Sequence, residues 1–258
     1  MTRGFALPRV YQNEQDAETK RLARAARHAP RIPWNVFRRD FFHWKMGEHV
    51  ALIGPTGQGK TTLLNAILPV HPYVTVFATK PRDESMDRLI DSAGYLKMAK
   101  WRKLPADKFP RRVLWPDARR IDSTDTQKEV FRDAFGKIYR EGNWTVAIDE
   151  LWYIINTLNL GHEVKQYLLQ ARSLGISLVA ATQRPAWVPL EVYDQSTWLF
   201  FWRDNDETNL KRLSGINARA SRLVTELVSN LDRFQVLCIN TRDGEMVRTR
   251  APKPAEGR

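Results

Sequence analysis

Five short apolar runs recur along the chain, and segments with helical spacing of apolar residues separate them. Runs of four or five residues that are apolar nearly throughout are typical of strands buried on both faces. The runs are Val50–Ile53, Tyr73–Phe77, Trp144–Ile148, Ser177–Ala181 and Trp198–Trp202, and the helical patterns are Thr61–Leu68, Thr126–Arg140, His162–Leu174 and Glu207–Leu213. Strands that alternate with helices predict an α/β domain with a mainly parallel central sheet.

The two ends of the chain have a different pattern. Seven Lys or Arg and no acid lie between Lys20 and Arg39, and Pro30 and Pro33 interrupt any helix there. We predict a basic N-terminal arm over residues 1–40, with a short helix at Lys20–His28 and an extended lead over residues 29–40. A core domain follows over residues 41–250, and the tail, residues 251–258, is predicted to be disordered.

Two shorter elements complete the predicted core domain. A strand is expected near Phe42–Trp44, just before the first buried run. Near the C-terminus, Phe234–Ile239 and Glu245–Arg250 flank the turn signal Arg242-Asp243-Gly244 and predict an antiparallel β-hairpin.

The first apolar run leads into a glycine-rich loop. The loop reads Gly54-Pro55-Thr56-Gly57-Gln58-Gly59-Lys60-Thr61-Thr62 and satisfies the P-loop pattern G-x-x-x-x-G-K-[ST] between a strand and a helix. Backbone N–H groups of such a loop and the helix N-terminus bind the phosphates of ATP. Lys60 is expected to neutralise the β- and γ-phosphate oxygens, and the Thr61 hydroxyl to bind Mg²⁺.

The third apolar run ends in two acids, Asp149 and Glu150. We expect Asp149 to hold Mg²⁺ through water and Glu150 to act as the general base that polarises the attacking water. Acids at a strand end can also merely cap the next helix. Because the phosphate loop stands upstream, the catalytic interpretation is favoured, and the added Glu separates the chain from kinases and small GTPases.

Composition suggests the partner and the compartment. The 258 residues are 43% hydrophobic, which suffices for a packed core, and carry a formal net charge of +12. Such a charge attracts polyanions, so nucleic acid is the first partner to consider, with a solubilising surface or an anionic membrane as alternatives. The single cysteine, Cys238, indicates a reducing cytoplasm, and we expect no direct membrane insertion.

A third motif lies between Gln170 and Pro185. It consists of a helix ending in Ala171-Arg172, a Gly175-Ile176 turn, an apolar strand and the sequence Thr182-Gln183-Arg184-Pro185. Together with the two preceding motifs, in this order, it resembles the FtsK/HerA superfamily of DNA-pumping ATPases. That superfamily includes VirB4-like conjugation ATPases and viral genome-packaging ATPases, and the resemblance covers about residues 45 to 240.

The resemblance implies a RecA-like P-loop NTPase fold of the ASCE type with strand order 5-1-4-3-2 and ATP at the carboxyl ends of the strands. It also implies a homo-oligomeric ring of six subunits, or of five, around double-stranded DNA. A nuclease, a portal or a membrane complex would be a further partner. By the same resemblance, Gln183 would be the polar sensor of the γ-phosphate or the lytic water, and Arg172 or else Arg203 an arginine finger for a neighbouring subunit.

Two basic segments are candidates for contact with DNA phosphates. One is the N-terminal arm, with Arg24 and Arg27, and the other is the segment that contains Lys100, Arg102 and Lys103. The arm could instead tie one subunit to its neighbour, and either segment could be a solvated basic face. Trp34 and Trp101 lie among these basic residues, where stacking on bases is one interpretation and core packing the other.

The leading hypothesis is therefore an ATP-hydrolysing ring motor that moves double-stranded DNA for packaging, transfer or processing of a viral or mobile-element genome. One alternative is a VirB4-like secretion or remodelling ATPase docked on a membrane complex. The other is a nucleotide-gated DNA-binding scaffold.

Overall fold

The fold is built around one nine-stranded sheet. It is seen in a computed structural model, which describes residues 27–119, 123–183, 185–214 and 221–252. The strands are β1 His49–Ile53, β2 Val74–Phe77, β3 Leu96–Met98, β4 Arg111–Leu114, β5 Thr145–Ile148, β6 Ser177–Thr182, β7 Ser196–Trp202, β8 Gln235–Asn240 and β9 Met246–Arg250. Most of the predicted basic helix, with Arg24, and most of the predicted tail lie outside the described residues.

The sheet order is β3-β4-β2-β5-β6-β1-β7-β8-β9. The strands from β3 to β7 in this order are all parallel, whereas β8 and β9 run antiparallel to their neighbours. The five strands predicted from the apolar runs follow the expected order 5-1-4-3-2 as β7-β1-β6-β5-β2. The sheet differs from the expectation by two additional strands on each side, of which β8 and β9 form the predicted hairpin.

Helices cover both faces of the sheet. They are α1 Trp34–Val36, α2 Lys60–Ile67, α3 Glu84–Asp91, α4 Ser123–Glu141, α5 Gly161–Gln170, α6 Glu191–Asp194, α7 Glu207–Ser214 and α8 Ser221–Ser229, with π-helical turns at Phe37–Phe41 and Tyr153–Thr157 and 3-10 turns at Leu68–Val70, Ala171–Leu174 and Pro185–Trp187. Side chains of β1 alternate between two hydrophobic clusters: Val50 and Leu52 belong to one, Ala51 and Ile53 to the other. This is why β1 is apolar throughout. Among the described helices, none is long and apolar enough to cross a lipid bilayer.

The segment before β1 is more ordered than the sequence suggests. Residues 34–41 are helical rather than extended, and Phe37 is fully buried against Trp198 and Phe200 of β7. No strand forms at Phe42–Trp44, although the side chains of Phe42 and Trp44 are buried in one hydrophobic cluster. Earlier in the chain, Arg31 forms a parallel β-bridge with Arg248 of β9.

The second basic segment also differs from expectation, since β3 and β4 run through it. Among the residues described, the only fully buried cation of this segment is Arg112. Its guanidinium lies 4.6 Å from the ring centroid of Trp101 and 4.4 Å from that of Trp144. Trp101 is 2% exposed and donates its indole N–H to Glu141. Base stacking by Trp101 is therefore excluded, because the ring is packed inside the protein.

Arg112 should matter for stability rather than for binding. Its guanidinium donates to the carbonyls of Leu104 and Phe109, at 2.9 and 3.0 Å. We expect Arg112→Ala to lower the free energy of unfolding by about 3 kcal/mol, since two part-buried carbonyls lose their donor and two cation–π contacts are lost. Urea denaturation would measure this. The exposed Arg102→Ala should change it by less than about 0.5 kcal/mol, and equal effects would contradict the assignment.

Candidate nucleotide-binding site

The glycine-rich loop connects β1 to α2 at the carboxyl edge of the parallel sheet. At Gly54, a Cβ atom would come within 2.7 Å of the Trp202 Cβ, so only glycine fits beside β7. Gly59 precedes α2 with φ of 99°, a left-handed conformation that glycine adopts without strain. The loop therefore makes a tight turn from the end of β1 into the N-terminus of α2, where phosphate can bind.

Lys60 is the first residue of α2 and points back into the loop. Its ammonium group donates to the carbonyls of Gly54, at 2.5 Å, and Pro55, at 2.7 Å. Burial lowers the pKa of Lys60 to about 8, although the nearby carboxylates of Asp149 and Glu150 act in the opposite direction. The two backbone carbonyls thus hold the ammonium at the loop, and phosphate oxygens could take their place.

Asp149 follows β5 and contacts both the loop and Lys80, which follows β2. Its Oδ1 accepts a hydrogen bond from the Thr61 hydroxyl at 3.0 Å, and its Oδ2 lies 3.3 Å from the Lys80 ammonium. Lys80 also bonds Asp83 at 3.2 Å. Burial would lower the pKa of Lys80, but the two carboxylates outweigh it and raise that pKa. Lys80 therefore remains charged beside the phosphate loop.

Glu150 is half-buried next to Asp149. Burial and the charge of Asp149 raise the pKa of Glu150, while Lys60, Lys80 and a backbone hydrogen bond from Trp152 oppose the rise. A carboxylate whose pKa is raised toward neutrality is a better proton acceptor than an ordinary glutamate. This environment suits a general base.

Gln183 lies just after β6 and reaches the loop. Its side-chain carbonyl accepts a hydrogen bond from the Thr56 hydroxyl at 2.5 Å. Thr56, Lys60, Lys80, Asp149 and Gln183 line one cleft, together with Gly57, Gly59, Thr61, Thr62 and Phe234. The structure thus brings the three sequence motifs together around a single opening.

The two candidate arginine fingers lie at opposite ends of the strands. Arg203 directly follows β7 and lines a second cleft beside the loop, with Pro55, Gln58, Asp204, Asn205 and Arg233. Arg172 is exposed in the 3-10 turn before β6. Its backbone packs against Gly47, near the amino end of β1: a Cβ atom added at Gly47 would lie 2.8 Å from the Arg172 carbonyl oxygen. Within this chain, Arg172 is therefore remote from the loop, and Arg203 is close to it.

Of the residues predicted to contact nucleic acid, those within the described part of the chain are exposed. Arg27 begins the described residues, and Lys100, Arg102 and Lys103 follow the carboxyl end of β3. Arg24 lies outside the described residues. Exposure leaves these side chains accessible to a polyanion.

Sequence reasoning missed Lys80 and Phe234 as part of this site. The position of Lys80, three residues beyond a predicted strand, was the available signal, because parallel strands bring their carboxyl ends to one edge. Phe234 precedes an antiparallel strand, so only the observed pairing of β8 with β7 reveals its position.

The sheet order and the loop define the class: the chain has the fold and the phosphate-binding loop of P-loop ATPases. Residues 38–95 match a family model described as ABC transporter, which covers the loop and its flanking elements but less than a quarter of the chain. A comparison of the sequence with curated proteins gives no significant match.

Solved structures resemble a much larger part of the chain. B204, the DNA-packaging ATPase from Sulfolobus turreted icosahedral virus, superposes with a TM-score of 0.58 at 17% identity, covering 81% of this chain and 100% of that one. The genome-packaging NTPase B204 from Sulfolobus turreted icosahedral virus 2, in complex with ATP-gammaS, has a TM-score of 0.57 at 15% identity, with coverages of 81% and 100%. VirB4 of Thermoanaerobacter pseudethanolicus has a TM-score of 0.58 at 9% identity, with coverages of 80% and 90%. At these identities the similarity concerns the fold, which is the one the FtsK/HerA resemblance implied.

The lowered pKa of Lys60 predicts how nucleotide affinity depends on pH. Phosphate oxygens around the ammonium would raise its pKa, so above pH of about 8 binding requires uptake of a proton. Affinity for ATP should be insensitive to this group below about pH 8 and fall by up to about tenfold per pH unit above it. Titration calorimetry over this range would measure the slope.

The matched variant is Lys60→Arg, because a guanidinium stays protonated throughout this range. It should bind more weakly at neutral pH yet lack the alkaline slope. An unchanged slope in the Arg variant would show that another group titrates.

Proposed function

We propose that this protein hydrolyses ATP and uses the energy to move double-stranded DNA through a ring of identical subunits. The observation that carries the ATPase part is the convergence of Lys60, the Thr61–Asp149 hydrogen bond and the Gln183–Thr56 hydrogen bond at one cleft. The acids at the end of β5 are a weak signal by themselves, but their contact with the glycine-rich loop supports one common chemistry.

ATP would be bound mainly by the backbone of the loop Gly54 to Thr62. Successive N–H groups and the N-terminus of α2 face the phosphates, and the positive end of the helix dipole favours their charge. Lys60 would exchange its carbonyl partners for β- and γ-phosphate oxygens, and Lys80 adds a second positive charge at the same cleft.

The residues present fit a magnesium ion. Thr61 and Asp149 hold a hydroxyl and a carboxylate oxygen 3.0 Å apart at the loop, and oxygen donors of this kind are the ones Mg²⁺ prefers. Thr61 would bind the ion directly and Asp149 through water. When bound, Mg²⁺ neutralises charge on the β- and γ-phosphates.

Glu150 would start the reaction by accepting a proton from water. The water oxygen then attacks the γ-phosphorus, the bond from that phosphorus to the β–γ bridging oxygen breaks, and ADP and phosphate leave. Gln183 would orient the water or the γ-phosphate, because its amide can donate and accept at once. The raised pKa of Glu150 supports its role as base.

A neighbouring subunit would complete the site with an arginine finger, Arg172 or Arg203. The distance of Arg172 from its own loop leaves it free to serve another subunit, which supports that choice. Arg203, in contrast, borders the cleft beside its own Pro55 and Gln58, where it could contact nucleotide in the same subunit. A ring of six, or of five, subunits would supply the contact.

DNA as the substrate is supported by charge. The formal net charge of +12 and the exposed Lys100, Arg102 and Lys103 provide phosphate contacts that do not depend on sequence. Arg24 and Arg27 of the arm would add to them. The B204 proteins, which share the fold, are described as genome-packaging and DNA-packaging enzymes. A nuclease, a portal or a membrane complex would be the further partner of such a motor.

Replacing the proposed base should separate binding from hydrolysis. Glu150→Gln keeps the size of the side chain but cannot accept the proton, so turnover should fall by about 10²- to 10⁴-fold while ATP affinity is retained. Phosphate release and titration calorimetry would measure the two quantities. Glu129→Gln, at an exposed position of α4, is the control, and equal turnover of the Glu150 variant and the parent would remove the proposed base.

Duplex DNA should stimulate the ATPase, and the stimulation should fall steeply with salt. Removing the charges of Lys100, Arg102 and Lys103 together by Ala should reduce the slope of log affinity against log salt by up to about three. Fluorescence anisotropy with a labelled linear duplex would measure this slope.

A control variant removes the same charge elsewhere: Arg88, Arg132 and Lys137, which form salt bridges on the helices, are replaced by Ala. The slope of log affinity against log salt should change less in this control than in the variant that lacks Lys100, Arg102 and Lys103. Turnover that stays constant at saturating duplex and low salt, for all fragment lengths, would contradict DNA as the track. Binding to a membrane complex without DNA stimulation would then favour the secretion ATPase, whose fold VirB4 shares.

A further inference from the structure

The groups proposed to meet the terminal phosphate all approach the loop from one side of β1. Gln183 follows β6, Asp149 follows β5 and Lys80 follows β2, and these strands succeed one another on the same side of β1 in the sheet. A nucleotide bound with its γ-phosphate among these groups has to extend its base in the opposite direction. That direction leads to β7 and β8.

Phe234 stands on that side of the loop. It immediately precedes β8, and its Cδ1 atom would be 3.8 Å from a Cβ atom at Gly59. The ring is 45% exposed and lines the same cleft as Lys60 and Thr62. Part of the ring is therefore covered by neighbouring residues, and part of it borders the cleft and is open to a ligand.

The backbone at Phe234 is held in an unfavourable conformation. Its φ of 62° lies in the left-handed region, which bulky residues rarely adopt. The turn is fixed by a hydrogen bond from the Gln235 N–H to the Asp232 carbonyl, at 3.0 Å, and by one from the Asp232 N–H to the Gln235 side chain, at 3.2 Å. Strain of this kind concentrates at ligand sites, where it orients a side chain in advance.

Positive charge accompanies the ring. The guanidinium of Arg233 lies 4.7 Å from the Phe234 ring centroid, and Arg233 also lines the neighbouring cleft with Arg203 and Gln58. The guanidinium covers one face of the ring, which leaves the other face for a flat ligand. Stacking on an aromatic ring accepts any nucleobase, and the larger purines gain the most contact.

We propose that Phe234 is the stacking platform for the purine base of the bound nucleotide. The proposal rests on the proposed function only in that a nucleoside triphosphate occupies the loop. It does not require DNA movement or a ring. Phe234 would contribute affinity through the base, independently of the groups that hold the phosphates.

The test compares binding of ATP with binding of inorganic tripolyphosphate, which has no base, by titration calorimetry without DNA. Phe234→Ala should weaken ATP binding by roughly 5- to 150-fold and leave tripolyphosphate binding unchanged. Phe234→Trp should retain ATP affinity. Phe109→Ala, which removes an aromatic ring exposed to a similar extent on the loop before β4, is the matched control and should change neither.

A second variant guards against a general loss of structure. Phe234→Gly removes the ring and also relieves the positive φ, so the variant should keep a cooperative melting transition while ATP affinity falls. The proposal is overturned if Phe234→Ala binds ATP as the parent does, or if it loses tripolyphosphate to the same degree. If DNA fails to stimulate ATP turnover, the proposed DNA motor is contradicted, but the proposed stacking of the base on Phe234 is not affected.

Discussion

The contact between the Lys60 ammonium and the carbonyls of Gly54 and Pro55 organises the rest of the site. It requires a loop that folds back on its own helix, and that loop requires Gly54 to pass within reach of the Trp202 side chain. The charge is buried, so it raises the free energy of the empty protein, and binding of an anion would relieve that cost. Nucleotide-free protein is in this sense prepared for a phosphate.

The sheet supplies the rigidity that this arrangement needs. Strand β1 is buried on both faces and paired on both edges, by β6 and by β7, so its end cannot shift without disturbing the centre of the protein. Asp149 and Gln183 end neighbouring parallel strands and are therefore fixed relative to the loop. The catalytic geometry follows from strand order more than from the helices around it.

Much of this was readable from the sequence, because the loop from Gly54 to Thr62 and the acids after β5 are local patterns beside strongly apolar strands. Strand β4 was missed because it opens with Arg111-Arg112, and only three-dimensional packing between Trp101 and Trp144 makes a buried arginine acceptable. Phe234 was assigned only to a hairpin strand, since its place beside the loop depends on a pairing between β7 and β8 that no local pattern encodes.

The bridge between Arg31 and Arg248 has a consequence for assembly. The segment of residues 30–32 pairs with the outer edge of β9: the Ile32 N–H donates to the Arg248 carbonyl, and the Arg248 N–H donates to the Pro30 carbonyl. Without this segment, these backbone groups of β9 would face outward. The opposite border of the sheet ends in β3, which has only three residues. Open strand borders invite neighbouring chains to add on and aggregate. With one border covered by its own chain and the other very short, any association between copies of this protein would use side-chain surfaces and would not prolong the sheet.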